Sequence, residues 1–132
     1  MSEENVELTR RRFEAMNRHD FEGLVALMDQ DVVGVPRIVG VEGGEFRGHD
    51  GMRSWWEGVF AAFPDLEGEV IEIRAIEDVT LSCMRVRGHG EGSGAPIDDE
   101  IWIVSRFRDA KVVWWQSCGS EREALEAAGL SE

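Results

Sequence analysis

The sequence predicts an α+β fold in which three N-terminal helices pack on a long antiparallel sheet and a short C-terminal helix follows. Three observations carry that expectation. Apolar residues recur at spacings of three and four along much of the chain as far as Phe63. From Glu69 onward Val, Ile and Trp gather in runs separated by turn residues. The helices mostly precede the strands instead of alternating with them, which implies α+β layers and not βαβ units. A chain of 132 residues that is 42% hydrophobic can bury a genuine core. No repeat, low-complexity tract or linker divides it, so residues 1–132 read as one domain.

The first helix is expected from Glu3 to about Arg18, with Ser2 as N-cap and Val6, Thr9, Phe13 and Met16 on one face. Asp20 follows a turn and caps a second short helix carrying Phe21, Leu24, Val25 and Met28, which ends before Asp31. From Asp31 to Val41, β-branched residues interrupted by Gly34, Pro36 and Gly40 suggest one or two kinked strands. Glu45-Phe46-Arg47 reads as a brief strand. Gly48-His49-Asp50 then opens a third helix with an aromatic stripe of Trp55, Trp56, Phe60 and Phe63, stopped by Pro64. Four strands are expected at Glu69–Ile76, Thr80–Gly88, Pro96–Arg108 and Lys111–Cys118, with a tight hairpin at Asp109-Ala110. Ser120-Glu121-Arg122-Glu123 fits a capping box ahead of a last helix to about Ala128.

Strand alternation puts Ile97, Ile101, Ile103 and Phe107 on one sheet face, and Trp102 and Val104 on the other. Trp114 and Trp115 likewise part to opposite faces. Large apolar groups on both faces predict that the outer face is covered too, and a homodimer through the sheet would do this.

The charge balance is 14 Lys plus Arg against 27 Asp plus Glu, a formal net charge of −13, which would repel a phosphate backbone. No nucleic-acid partner is expected. No apolar run approaches the roughly 18 to 20 residues that span a bilayer, so no membrane partner is expected either. The N-terminus lacks the apolar core of a secretory signal, and the expected localisation is cytoplasmic. Cys83 and Cys118 form no CxxC pair and the three histidines are scattered, so no metal site and no disulfide are expected.

Five segments in order carry a family resemblance: Asn5–Val33, Phe46–Trp56, Arg85–Gly94, Ser105–Trp115 and Glu121–Leu130. Together they resemble the SnoaL-like group of the nuclear-transport-factor-two-like superfamily, which includes ketosteroid isomerase, polyketide cyclases and limonene-epoxide hydrolase. The resemblance covers nearly the whole chain. It implies a cone-shaped fold, with a curved sheet wrapped by helices around a pocket and dimerisation through the sheet. It does not imply one chemistry, because relatives include both enzymes and binding proteins.

Ketosteroid isomerase uses a carboxylate base with an oxyanion hole of a tyrosine and a protonated carboxylic acid. By this resemblance the tyrosine position falls on Arg12, the base on Pro36 and the second acid on Ile103, and the chain contains no Tyr. Steroid isomerisation by that constellation is excluded. The resemblance places Trp55, Trp56 and Phe60 along the pocket, with Trp115 and Ser117 inward on the last strand. Phe13, Met16, Ile101 and Ile103 complete the candidate ligand-binding set. The competing account is that these rings simply fill the cone.

Asp99, His49 and Arg12 are the candidate catalytic groups. Asp99 shares the alternation of Ile101 and Ile103, though an exposed strand end fits equally. His49 sits where a helix N-terminus disfavours its charge, and local capping is its bland role. Arg85 and Arg87 would meet carboxylates on a neighbouring strand, most simply as surface pairs. The expected function is binding of a small hydrophobic molecule in an apolar Trp-lined cone, with cofactor-free acid–base chemistry such as cyclisation, isomerisation or hydration. The alternative is a non-catalytic ligand-binding or dimerisation module of the same fold.

Overall fold

The structure, a computed structural model, describes residues 2–36 and 44–130. Helix α1 (Ser2–Asn17) includes Ser2 in its first turn and buries Asn5, Thr9, Arg12 and Phe13 along one face. His19 closes the following turn at φ 57°. Asp20 caps α2 (Phe21–Val25), accepting the Gly23 N–H at 2.9 Å. Met28 was expected on this helix but opens strand β1 (Met28–Val35) instead. Alternation explains the difference, since Met28 is buried at the strand end and Val32 four residues on shares its burial. The expected strand residues Ile38, Val39 and Val41 lie outside the described residues.

Strand β2 (Phe46–Arg47) leads directly into α3 (Gly48–Ala62), and Met52, Trp55 and Val59 form its buried stripe. Four long strands follow: β3 (Glu67–Ile76), β4 (Val79–His89), β5 (Pro96–Arg108) and β6 (Lys111–Cys118). Helix α4 (Glu121–Ala127) completes the chain, with Ser120 accepting the Glu123 N–H and the Glu123 carboxylate accepting the Gly119 N–H. That is the expected capping box.

The strands form one curved, open sheet in the order β2-β1-β6-β5-β4-β3. Hairpin-linked neighbours β3 to β6 are antiparallel, as expected, but β1 runs parallel to β6. Tight turns impose the antiparallel sense only on strands they join. β1 meets β6 from far away in the chain, so no turn sets its direction.

Register fixes the two faces. Met84, Val86, Ile101, Ile103, Trp115 and Ser117 point inward, towards α1 and α3, while Leu81, Cys83, Trp102, Val104 and Trp114 point outward. An extra residue in β3 between Val70 and Glu72 leaves Ile71 half exposed. The outer face was expected to await a second subunit, yet part of its cover comes from this chain. Ala124 and Ala128 of the C-terminal segment bury Val79, Leu81, Val104 and Cys118. Both cysteines are buried and outside any disulfide, and burial pushes the Cys83 thiol up to about 11.

Candidate functional site

A cavity lies between α1, α3 and the inner sheet face. A water molecule's centre can range through about 60 Å³ of it. One water needs roughly 10–15 Å³ on that measure, so the space takes several waters or a compact ring. Helix α1 contributes Arg12, Phe13, Met16 and Asn17, and α3 contributes Trp55 and Val59. The sheet supplies Met84 and Val86 from β4, Ile101 and Ile103 from β5, and Trp115 and Ser117 from β6. Pro36, Leu66, Glu67 and Gly68 complete the wall. Glu67 is exposed and pairs in register with Arg87, whose neighbour Val86 faces the core, so the Glu67 side chain lies on the outer face.

Trp115 is nearly fully buried and sits across β1, where a Cβ on Gly34 would come 2.6 Å from its ring. Its indole N–H donates to the Met52 sulfur at 3.4 Å, and its ring meets Trp55 edge-on at 5.1 Å. The absence of a side chain at position 34 is what admits this ring. Asn17 clasps β3 at the cavity edge, donating to the Gly68 carbonyl at 2.8 Å and accepting the Gly68 N–H at 2.9 Å.

Arg12 sets the electrostatics. It is 3% exposed and donates Nη1–H to the Ser105 hydroxyl at 2.7 Å. Its guanidinium carbon lies 5.3 Å from the Phe13 ring centre and 5.1 Å from that of Trp115. Among the described residues no carboxylate reaches it. Burial lowers its pKa to about 10, and the guanidinium stays charged at neutral pH. The Trp55 Nε1 hydrogen is buried without an acceptor.

The structure therefore brings Arg12, Phe13, Met16, Trp55, Ile101, Ile103, Trp115 and Ser117 to one cavity. Trp56 and Phe60 are not among its walls. They stand about 100° around α3 from Trp55 and Val59, so the two pairs cannot face the same way. Instead Phe60 packs on His19 at 4.3 Å and Trp56 on Phe21 at 5.4 Å. His19 is exposed in its turn. Asp99 keeps the inward alternation of β5, opposite Val86, but is exposed beyond Ile101 and accepts the Glu100 N–H. His49 donates from Nε2 to the Met28 carbonyl at 3.1 Å, tying the start of α3 to β1 outside the cavity.

Arg85 and Asp98 form a two-pronged pair at 2.8 Å on the outer face, far from the inward residues by alternation. Sequence reasoning missed Val59, Met84 and Val86. The alternation of Met84 and Val86 with Arg85 and Arg87 in β4 was the signal that would have found two of them.

A family model described as a SnoaL-like domain matches residues 9–115. No curated protein matches the chain. Solved structures with the same fold include a nuclear-transport-factor-two-like protein of unknown function from Burkholderia pseudomallei, 21% identical with a TM-score of 0.81. That likeness covers 96% of this chain and 97% of the other. AclR, a putative hydroxylase from Streptomyces galilaeus, is 27% identical with a TM-score of 0.75 over 98% of each chain. TerC, co-crystallised with polyporic acid, is 18% identical with a TM-score of 0.79 over 93% of this chain and 98% of its own.

Proposed function

The chain belongs to the SnoaL-like domain family, and from that premise we propose that it binds a small, flat hydrophobic molecule in the cavity between α1, α3 and the sheet. One observation carries the reading. Rings and aliphatic chains from five elements converge on interior space that they leave unfilled, with few polar groups among them. A core that merely closed on itself would be packed to the density of an organic crystal. Trp55 and Trp115 offer faces for a planar ligand to stack against. TerC, a fold neighbour, was co-crystallised with an organic ligand, which agrees with this use of the fold.

Of the three candidate acid–base groups only Arg12 is in the cavity, so binding is the favoured role and proton transfer by Asp99 or His49 is not. Titration of the full chain with benzyl alcohol, indole and naphthalene, followed by Trp emission, tests this. Quenching that saturates and is lost in Trp115→Leu supports the reading. Emission unmoved by any ring compound removes it.

Homodimerisation through the sheet belongs to the same proposal. Helix α4 covers the part of the outer face around Leu81 and Val104, with Trp102 and Trp114 half buried at its border. Sedimentation velocity returning a monomer at high concentration would exclude it.

A further inference from the structure

Resting on the ligand-binding reading above, we infer that the molecule held in the cavity carries an acidic oxygen, a carboxylate or an enolate, which accepts hydrogen bonds from the Arg12 guanidinium.

The inference begins from unused donors. A guanidinium has five N–H groups and cannot accept. In Arg12 one of them meets Ser105 Oγ, and the others have no acceptor among the described residues. On the inner face the neighbouring Thr80 hydroxyl is engaged with that of Thr9 at 2.9 Å, and Ser82 Oγ is itself buried without a partner. Trp55 Nε1, on another ring lining the cavity, is a further buried donor without a partner. Buried polar groups are ordinarily paired, and a buried charge more strictly so. Among the described residues no further acceptor meets these donors, and a ligand in the cavity is the acceptor that the lining rings also fit.

Scarcity of carboxylates does not explain the unpaired cation. The protein has 27 acidic residues against 14 basic ones. Arg11, Arg47, Arg53, Arg74, Arg85, Arg87, Arg106 and Arg122 each meet a carboxylate at the surface. Arg12 alone among these is buried and faces a cavity. The rings of Phe13 and Trp115 lie against its guanidinium and supply no in-plane acceptor of the kind its N–H groups bond best.

A neutral apolar ligand would displace cavity water and leave the guanidinium with Ser105 Oγ as its sole acceptor among the described residues. A cationic ligand would be repelled. An acidic oxygen at the end of a flat apolar body satisfies both the rings and the charge.

The test compares benzoate, ionised at pH 7, with benzyl alcohol, a neutral ring of similar size, by isothermal titration calorimetry on the full chain. Arg12→Met and Trp55→Phe variants, checked for native circular dichroism, are measured beside the wild type. The expected result is benzoate binding at least tenfold tighter than benzyl alcohol to the wild type, with that preference abolished in Arg12→Met. Trp55→Phe should weaken benzoate by several-fold. Equal affinity of the wild type for the two compounds, or a benzoate preference that survives Arg12→Met, would overturn the inference while leaving the ring-binding cavity intact. Binding of neither compound would remove the cavity reading and this one with it. Should Arg12→Met fail to fold, the wild-type ratio alone decides.

Discussion

At the scale of single residues, Arg12 and Gly34 shape the cavity in opposite ways, one by a charge and one by a missing side chain. Lowering the Arg12 pKa to about 10 corresponds to an unfavourable term on the order of 3 kcal/mol for holding its charge inside. Its sign is that of a cation whose folded pKa is depressed. The unfolded chain binds the proton more tightly, so the cost is fully present at neutral pH and relieved only as pH rises above about 10 towards the ordinary guanidinium range. Arg12→Met removes this cost together with one hydrogen bond to Ser105 and two ring contacts. We expect the variant to be more stable by about 1–2 kcal/mol, read as a higher urea midpoint, and a lower midpoint would show that the charge is better compensated than its partners indicate. Gly34→Ala should act the other way. Its Cβ would come 2.6 Å from the Trp115 ring, and overpacking of this kind costs about 1–3 kcal/mol. Loss of near-ultraviolet circular dichroism alongside that destabilisation would report the displaced indole. The role of Gly34 was not legible in the sequence, and for Arg12 the family resemblance pointed to the pocket but not to a buried charge. Arg12 sits in a run of three arginines, and only tertiary packing selects which of them is buried.

At the scale of elements, the turns and caps were the most legible features because their chemistry is local. The Asp20 cap, the Ser120 capping box and the β5–β6 hairpin all stand where turn residues and spacing put them. Where a decision depended on a distant partner, such as the direction of β1 or the side of α3 that meets the sheet, pattern alone was insufficient. The β5–β6 turn carries Asp109 and Ala110 at φ 54° and 62°. A left-handed backbone is unfavourable for alanine by about 1 kcal/mol, so Ala110→Gly should stabilise by about 0.5–1 kcal/mol, read as a higher urea midpoint. A second local device joins the turn before β3 to the end of β4, where the Asp65 carboxylate accepts from both the ring and the backbone N–H of His89, at 2.7 and 2.8 Å. These bonds hold the Asp65 carboxyl below its ordinary 3.8. A carboxylate with a depressed folded pKa stabilises at pH above the unfolded value, and the contribution is lost as pH falls through the folded one. Asp65→Asn should therefore lower the thermal midpoint at pH 6, with the difference from wild type closing below about pH 3.8. A gap unchanged at low pH would sink that account.

At the scale of the whole molecule, the fold class and layering followed from periodicity and element order. The site followed less completely, because a lining residue is defined by the direction in which it points. Trp55 and Trp56 are neighbours of identical chemistry, and the helical turn between them assigns one to the cavity and the other to the α2 side. The parallel contact between β1 and β6 has a consequence for how this interior comes into being. Its roof arrives with α1 near the beginning of the polypeptide and its floor with β6 near the end, and β1 is zipped to β6 at Gly34 and Trp115. During synthesis a chain still lacking its last strand has no compartment to offer. The cavity and the full sheet are thus made in the same event.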